Sequence, residues 1–320
     1  MKKAVFIRDL KPHQAVHDTF LVRHQARRTG RNGSAYLDLE LQDSTGAIPA
    51  KLWDCSEAPP DFDVDDLVQV SATAEDYQGR LQLRVENIHR SLGADADLRD
   101  YLPAGTRDGE EMYAALLARA GRMTPGPLRQ LVEAVLSDPA IAGAYKLAPA
   151  ATTYHHAYLG GLLEHVFSLS GLADRVADHY PALDRDLVLT GIILHDLGKI
   201  RELSYARGFR YSTRGQLLGH IAIGLEMVGE KMRAIPDFPS DLHDRVAHIM
   251  LSHHGKLEFG SPKEPMFPEA LVVHYLDDLD SKLESMRAQY AADQEREGDW
   301  TARNRALGRE LLKKEAGSGG

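Results

Sequence analysis

The sequence predicts a two-domain protein in which a small, closed all-β barrel is followed by an all-α helical bundle. From residue 15 to about residue 89, apolar and polar residues alternate and glycine-containing turns interrupt them, as is typical of short antiparallel strands. After about residue 110, apolar residues recur at helical spacing instead. A length of 320 residues suits about two domains.

The first unit contains five predicted strands, near residues 15–22, 35–42, 47–53, 67–75 and 81–88. Residues 23–34 form a loop between the first two strands, and tight turns are predicted at residues 43–46 and 78–79. Five short strands in so small a space fit a closed barrel better than a sandwich. We therefore assign the barrel to residues 1–92 and a linker, rich in glycine and proline, to residues 93–109.

The second unit covers residues 110–315 and is helical apart from one excursion. Helices are predicted at residues 110–120, 127–136, 154–179, 186–195, 216–234, 240–254 and 269–294, with another that opens at Pro139 and a tail helix at 300–314. Residues 202–213 alternate like a β-hairpin. Such a hairpin either caps a site or is a purely structural flap.

Composition indicates a cytoplasmic protein. Cys55 is the only cysteine, so an intrachain disulfide and a cluster of thiolate metal ligands are both excluded. The opening residues MKKAVFI contain too few apolar side chains for a signal-peptide core, and no stretch approaches the roughly 20 apolar residues of a membrane span. We expect no membrane contact.

The distribution of charge leaves room for a nucleic-acid partner. A net charge of −9 argues against a polyanion at first sight. However, Arg23, Arg27, Arg28 and Arg31 fall within nine residues, and no acid lies between Asp18 and Asp38. A local basic loop can contact phosphates even when the whole protein is acidic.

The order of strands and loops in the first unit resembles an OB-fold of the single-strand-binding type. The second and third strands and the first loop form the nucleic-acid face in that fold, and here they would hold Tyr36, Trp53 and the arginine loop. Two interpretations of the aromatic residues stay open. They belong to the barrel core, as aromatic residues in strands often do, or they are exposed and offer stacking surfaces for bases.

The chemistry of the second unit centres on residues 188–200, VLTGIILHDLGKI. An apolar helix ends there in His195 and Asp196, side by side. Neither side chain belongs in an apolar environment unless it is paired, hydrogen-bonded or bound to a metal. A helix end that simply breaks into a polar turn would give the same local pattern.

Further histidines in the same unit favour a metal site over a simple helix end. A lone histidine on an apolar face is usually a core residue, but here five lie on or at the ends of successive apolar helices, together with two acids. Imidazole and carboxylate without thiolate suit Mn, Fe, Co, Mg or catalytic Zn, and argue against a structural zinc site. The candidate ligands are His165, His195, Asp196, His220, His253, His254 and Asp277.

This order, H…HD…H…HH…D, resembles the HD superfamily of metal-dependent phosphohydrolases. The segments HHAYLGGLLEHV (residues 155–166), LTGIILHDLGKI, GQLLGHI, LSHHGKLEFGSP and HYLDDLD together resemble the YhaM-type 3'-to-5' exoribonucleases, which pair an N-terminal OB-fold with an HD domain. The resemblance covers most of residues 13–310.

The resemblance implies a centre of two divalent metal ions. One ion would be held by His165, His195, Asp196 and Asp277; Asp196 would bridge to the second, which is completed by His220 and by His253 or His254. A carboxylate has two oxygens and can bridge two cations, whereas a neutral imidazole binds one. Manganese is the first choice, with Mg²⁺, Co²⁺ or Fe²⁺ as alternatives. Asp278 and Asp280 compete with Asp277, and Asp280 lies on nearly the same helical face.

Three other residues are assigned to the substrate or to catalysis. Lys199, one helical turn after His195, would neutralise a phosphate or the developing charge; alternatively it is a solvated lysine that stabilises a helix C-terminus. His155 and His156 would open the fourth helix. An ideal helix puts His156 about 14 Å from His165, too far to share its metal, so we assign both to phosphate or base contacts.

The predicted function is a metal-dependent 3'-to-5' exoribonuclease that degrades single-stranded RNA to nucleoside 5'-monophosphates, with single-stranded DNA as an alternative substrate. A homo-oligomer is compatible with the sequence. The first alternative is an HD phosphohydrolase of free or cyclic nucleotides whose barrel serves assembly. The second is a non-catalytic RNA-binding adaptor with a structural metal.

Overall fold

A computed structural model describes residues 3–30, 33–53, 60–91, 96–152, 156–205, 208–294 and 296–313. The chain divides into two compact units. The first comprises Met1–Ala104 with Tyr205–Gly208, and the second comprises Gly105–Ser204 with Phe209–Gly320.

The first unit is the predicted five-stranded closed barrel. Its strands are β1 (Ala15–Thr29), β2 (Ala35–Asp43), β3 (Gly46–Trp53), β4 (Leu67–Tyr77) and β5 (Arg80–Arg90). They close in the order β1-β2-β3-β5-β4, and only the β3–β5 pair is parallel. Alternate residues such as Phe20, Leu39, Val70 and Leu83 point inward and fill the core.

The arginine segment lies on a strand, so the prediction of a loop at residues 23–34 was largely wrong. β1 continues past a bulge between Val22 and His24, and Arg27 and Arg28 pair with Leu37 and Tyr36 of β2. The extension satisfies the backbone groups of this segment, although its side chains show no strand-like alternation of apolar and polar residues. Arg31 lies outside the described residues.

Part of the predicted linker packs on the barrel. Residues Leu98–Asp100 form a short 3₁₀ helix, and the following Tyr101 is buried. The Tyr101 hydroxyl lies 2.5 Å from Thr19 Oγ1, and the Gln42 side chain donates to the Tyr101 carbonyl at 2.9 Å. These contacts explain why the first compact unit extends to Ala104.

The second unit is helical, as predicted. Its central helix is α5, in which every residue from Leu187 to Leu194 is buried. The helices are α1 (Gly109–Ala120), α2 (Pro127–Leu136), α3 (Pro139–Leu147), α4 (Gly161–His179), α5 (Arg185–Leu194), α6 (Lys199–Glu202), α7 (Thr213–Ala234), α8 (Ser240–Ser252) and α9 (Pro268–Ala292). The predicted hairpin is present as β6 (Leu203–Ser204) and β7 (Arg210–Tyr211).

The fourth helix begins seven residues later than predicted, at Gly161 instead of residue 154. His156 and Gly160 have positive φ angles of 50° and 80°, which no helix continues through. The chain folds back so tightly that a Cβ on Gly161 would lie 2.0 Å from the His156 carbonyl oxygen. Residues 153–155, including His155, lie outside the described part of the chain.

The predicted tail helix is also wrong. The described part of this segment forms two isolated antiparallel bridges, Trp300 with Leu312 and Asn304 with Arg309. Gly308 turns the chain between them with a φ of 67°. The Asn304 amide donates to the Ser285 carbonyl of α9 at 3.3 Å and so ties the tail to that helix.

Candidate metal centre and nucleic-acid interface

Four buried polar atoms in the helical unit converge without a hydrogen-bond partner among the described residues. They are His195 Nε2, Asp196 Oδ1, His220 Nε2 and His253 Nε2. Burying such atoms unpaired is costly, so their convergence indicates that a ligand satisfies them. Three imidazole nitrogens and a carboxylate oxygen are suitable donors for a divalent transition-metal ion.

Asp196 lies between two groups of potential ligands. Its Oδ2 is 3.3 Å from His195 Nε2 and 4.0 Å from His165 Nε2. Its Oδ1 is 3.5 Å from His220 Nε2 and 3.8 Å from His253 Nε2. The two oxygens of one carboxylate therefore face two different sets of imidazoles.

The remaining members fall on the same two sides. Asp277 Oδ1 is 3.2 Å from His165 Nε2 and 3.9 Å from His195 Nε2. Two triads, His165–His195–Asp277 and His220–His253–His254, each bring their ligand atoms within 4.8 Å of one another. The structure thus brings together all seven ligands that the sequence predicted; below, the candidate centre means these seven residues.

Each of the five imidazoles is anchored through Nδ1, which leaves Nε2 for the centre. An imidazole that donates through one nitrogen presents the lone pair of the other, and such partners fix the orientation of metal-binding histidines. The acceptors are Asp280 Oδ2 for His165 (2.8 Å), the Ile192 carbonyl for His195 (2.8 Å), Glu202 Oε1 for His220 (3.3 Å), the Met250 carbonyl for His253 (2.7 Å) and the Phe259 carbonyl for His254 (3.0 Å).

Two glycines allow the two halves to meet. A Cβ on Gly198 would lie 1.9 Å from the His220 carbonyl oxygen, so only glycine lets α7 approach the turn that carries Asp196. Gly219 interrupts α7 with a φ of 71° immediately before His220. Glu202 then accepts from both the backbone N–H (2.9 Å) and Nδ1 of His220. The roles of Gly198, Gly219 and Glu202 were not predicted from the sequence.

Burial and the neighbouring charges set the protonation of the centre. Burial lowers the pKa of His253 and His254, which favours the neutral imidazoles that bind metals. Burial opposes the charge of Asp196, but Lys199 and His195 outweigh it and hold the pKa of that carboxyl well below its usual range. Burial also lowers the pKa of His165, but hydrogen bonds with Asp277 and Asp280 raise it more, to about 9, so a cation at this side of the centre would have to displace the proton of His165 Nε2.

Lys199 is a buried residue and not a solvated helix-end lysine. Its Nζ donates to Asp196 Oδ2 at 2.7 Å. Burial disfavours the ammonium, but the attraction of Asp196 is stronger, so the pKa of Lys199 is raised and the charge is retained. A cation is therefore fixed beside the central carboxylate.

Asp280 and Asp277 contact opposite edges of His165. Asp280 Oδ2 accepts from His165 Nδ1 and lies 3.0 Å from His156 Nε2, while its Oδ1 accepts from the Ser168 hydroxyl at 2.6 Å. The prediction that His156 lies about 14 Å from His165 was wrong, because the helix begins after His156. The ring centroids of the two histidines are 5.4 Å apart. Asp278 instead pairs with Lys282 at 2.7 Å.

A cavity of about 240 Å³ lies against the Asp280 edge of His165. Arg107 and Arg287 line it together with His156, Glu164 and Ser168. Both guanidinium groups are paired with carboxylates, Arg107 with Glu164 at 3.7 Å and Arg287 with Glu284 at 2.6 Å. The cavity is consequently polar but carries no surplus of positive charge.

Tyr36 and Trp53 lie outside the core of the barrel. Tyr36 and Trp53 are partners across β2 and β3, their ring centroids are 4.7 Å apart, and Trp53 is 43% exposed. Lys51 Nζ lies 5.7 Å from the ring centroids of Tyr36, Trp53 and Tyr77 alike. The interpretation of Tyr36 and Trp53 as core residues was therefore wrong. We call Tyr36, Lys51, Trp53 and Tyr77 the aromatic face.

Lys51 and Tyr77 were not predicted as members of this face, although Lys51 precedes Trp53 by two residues and so had to share its side of β3. Among the predicted arginines, Arg28 pairs in register with Tyr36 and places its Nε 2.8 Å from Asp38 Oδ2. Arg23 and Arg27 are exposed on β1.

A helical unit whose histidines and aspartates converge in this order, joined to a barrel with an exposed aromatic face, defines a metal-dependent HD phosphohydrolase with a nucleic-acid-binding module. The family model described as "HD domain" matches residues 162–282, and the one described as "OB-fold nucleic acid binding domain" matches residues 21–90. None of the described helices is both long and apolar enough to cross a bilayer.

Three curated relatives identify the family. The chain is 36% identical over 314 residues to the 3'-5' exoribonuclease YhaM of Bacillus velezensis and 35% identical over 311 residues to that of Bacillus subtilis, covering 96% of each chain in both comparisons. It is 37% identical over 292 residues to that of Bacillus licheniformis, covering 90% of each chain. The protein belongs to the YhaM 3'-5' exoribonuclease family.

Proposed function

We propose that this protein is a metal-dependent 3'-to-5' exoribonuclease that degrades single-stranded RNA to nucleoside 5'-monophosphates in the cytoplasm. One observation carries the proposal: Asp196 Oδ1 and three buried imidazole nitrogens around it have no hydrogen-bond partner among the described residues, in the HD unit of a chain that is 35–37% identical to relatives of that name. The exposed aromatic face supports a polymeric substrate over the free or cyclic nucleotides of the alternative hypothesis.

The candidate centre fits two divalent cations, with Mn²⁺ as the first choice and Mg²⁺, Co²⁺ or Fe²⁺ as alternatives. His165, His195 and Asp277 would hold one cation with Asp196 Oδ2, and His220, His253 and His254 the other with Asp196 Oδ1. When bound, a pair of cations can activate a water molecule and stabilise the leaving oxygen of a phosphodiester. The amino-acid side chains supply position and charge.

Lys199 serves the reaction through its charge. Its ammonium is fixed beside Asp196 by burial and by a 2.7 Å hydrogen bond. The Lys199 side chain therefore does not have to move when a phosphate binds. A non-bridging phosphate oxygen near Asp196 would lie within reach of the Lys199 ammonium. The ammonium would then neutralise the negative charge that develops on that oxygen.

His156 is better suited to hold the centre than to contact substrate. Its Nδ1 lies 2.8 Å from the Tyr158 hydroxyl and its Nε2 3.0 Å from Asp280. With both ring nitrogens engaged, it supports Asp280, which in turn orients His165. We therefore propose a positioning role in place of the predicted phosphate or base contact; His155 keeps its predicted role as a proposal from sequence.

The barrel would bind the single strand. Tyr36, Trp53 and Tyr77 offer π-surfaces on which bases stack without sequence preference. Lys51 and the arginines Arg23, Arg27, Arg28 and Arg31 would contact phosphates. We propose that binding by residues 1–92 and cleavage by residues 110–315 are separable, and that single-stranded DNA can replace RNA because stacking does not require the 2'-hydroxyl.

A labelled oligonucleotide tests the direction and the chemistry. With Mn²⁺, a 5'-labelled single-stranded RNA should shorten progressively, whereas a 3'-labelled one should release a labelled nucleoside monophosphate in the first turnover. Metal analysis of the purified protein would identify the native ion. Internal cleavage, or hydrolysis of free nucleotides with no action on the oligonucleotide, would contradict the proposal and favour the nucleotide phosphohydrolase. An Asp196→Ala protein that keeps full biological function would favour the adaptor.

A further inference from the structure

The candidate centre reaches the surface through three of its seven ligands, His220, His254 and Asp277. These three are partly exposed, whereas the other four are buried. A phosphodiester that enters the centre must therefore approach past one or more of these three side chains. The surface beside them has to accommodate the rest of the nucleotide.

A short turn follows His254 and is hydrogen-bonded back to it. Leu257–Phe259 form a 3₁₀ helix, and the Phe259 carbonyl accepts from His254 Nδ1 at 3.0 Å. Covalent geometry limits the distance from that carbonyl oxygen to the centroid of the Phe259 ring to about 6 Å. The ring therefore lies within about 9 Å of His254 Nδ1, a distance that a single nucleotide can span.

The backbone of this turn is well determined, but the Phe259 side chain is exposed. Gly255 and Gly260 flank the turn with φ angles of 80° and 85°. The Phe259 N–H donates to the Lys256 carbonyl at 3.0 Å, and the Gly260 N–H to the Leu257 carbonyl at 3.0 Å. The Phe259 side chain is nevertheless 61% exposed. A large ring on an ordered turn loses little conformational entropy when it binds a ligand, so this position suits a binding platform.

A cation accompanies the Phe259 ring. Lys256 Nζ lies 5.9 Å from the ring centroid. Its pairing with Glu258 at 3.6 Å joins two exposed groups and is therefore weak. On the aromatic face of the barrel, Lys51 Nζ lies at a similar distance, 5.7 Å, from the ring of Trp53. An exposed ring with an ammonium beside it suits a ligand that combines a flat base with a phosphate.

We propose that the Phe259 ring stacks on the base of the 3'-terminal nucleotide while the phosphate of that nucleotide is bound at the candidate centre. This inference rests on the proposed exonuclease function and adds to it the residue that holds the end of the strand. The last base is the occupant because it has no 3' neighbour, so one of its faces is not covered by another base. Stacking tolerates every base, as an enzyme that meets a new end after each cleavage requires.

Removal of the ring and removal of the base test this contact together. The substrates are a 5'-labelled tetranucleotide and the same strand with an abasic 3'-terminal residue. In the wild type, loss of the base should lower kcat/KM for the first cleavage about tenfold. Phe259→Ala should show the same loss on the intact strand and less than about twofold further loss on the abasic one, because ring and base act through one contact. Phe259→Trp should keep the wild-type pattern.

Two controls separate stacking from damage to the candidate centre. Tyr180→Ala removes an exposed ring about 22 Å along α4 from His165, so cleavage of both strands should be unchanged. Calorimetric titration with Mn²⁺ should be the same for Phe259→Ala and the wild type, because a backbone carbonyl, which the substitution retains, holds His254. Weaker Mn²⁺ binding by Phe259→Ala would assign Phe259 to the support of His254 and would overturn the proposal.

A photo-crosslink provides a measurement that does not depend on cleavage. A tetranucleotide with a 3'-terminal thiouridine and a non-hydrolysable last linkage should crosslink to residues 255–260. Crosslinks confined to the barrel would overturn the proposal, as would equal effects of base removal in the wild type and in Phe259→Ala. If the wild type does not shorten the oligonucleotide at all, the proposed function fails, and the crosslink still decides whether Phe259 contacts the terminal base.

Discussion

The candidate metal centre and the aromatic face hold their side chains in opposite ways. In the candidate centre, four of the seven residues are buried and the other three are partly buried, five imidazoles are oriented by hydrogen bonds through Nδ1, and ligand atoms approach within 3.2–4.0 Å. On the aromatic face of the barrel, three rings and a lysine are at least partly exposed. These described side chains do not converge on one point as the ligand atoms of the candidate centre do. The difference is consistent with the proposal that the helical unit carries out cleavage, which tolerates little displacement of the reacting groups, and that the barrel contributes to binding affinity, which changes gradually.

Replacement of the central carboxylate should have the largest effect. In Asp196→Asn one of the two oxygens becomes an amide nitrogen, which does not bind a cation, so the proposed link between the two groups of ligands would be lost. We expect RNA hydrolysis to fall by at least about 10³-fold. Calorimetric titration with Mn²⁺ should show weaker binding and fewer sites. Cleavage near the wild-type rate, with the variant folded, would show that the converging atoms are not the catalytic centre.

The next largest effect is expected at Glu202, which contacts the candidate centre only through His220. Glu202→Gln keeps the size of the side chain but weakens the acceptor for His220 Nδ1. Loss of such a partner typically lowers metal affinity 10- to 100-fold. Titration of the purified apoprotein with Mn²⁺ should show one weakened site and one unchanged site.

Glu226→Gln on α7, the helix that carries His220, is the control, because Glu226 is exposed and pairs with Arg214. If Glu202→Gln and Glu226→Gln bind Mn²⁺ alike, the contact with Glu202 does not orient the ligand.

The two regions also differ in how much of them the sequence could predict. The ligands were predictable because five histidines on apolar helices have no ordinary explanation, and the strands because their alternation is regular. The role of Gly198 was not predictable. Its φ of −60° is ordinary, and glycine is required there only because the backbone of α7, which is distant in sequence, approaches it closely. Asp277 and Asp280 could not be separated either, since positions three apart share a helical face and only packing decides which edge of His165 each contacts.

The start of α4 also escaped prediction. Residues 154–160 have no helix breaker apart from Gly160, and the positive φ of His156 is a conformation that its residue type does not predict. The long β1 escaped because its arginine-rich half has no buried side to produce alternation. In both cases contacts that are distant in sequence overrule the local pattern.

On the aromatic face, one substitution should reduce affinity without affecting chemistry. Trp53→Ala removes one stacking surface, and we expect about tenfold weaker binding of a long single-stranded RNA. The rate of cleavage of a dinucleotide should stay within about twofold of the wild type. Trp300→Ala, which removes an exposed tryptophan from the helical unit, should change neither quantity. Equal losses on both substrates would remove the distinction between the two regions.

The smallest expected effect tests the electrostatic contribution of β1. Arg28→Gln should weaken RNA binding about two- to fivefold at moderate salt and reduce the slope of log affinity against log salt by up to about one. Asp38→Asn should act in the opposite direction, because Asp38 holds the Arg28 guanidinium at 2.8 Å and competes with phosphate for it. Fluorescence anisotropy between about 50 and 200 mM salt should therefore show a shallower slope than the wild type for Arg28→Gln and a steeper slope for Asp38→Asn. If both variants leave the slope unaltered, Arg28 does not contact phosphate, and the aromatic face binds by stacking with the help of Lys51 alone.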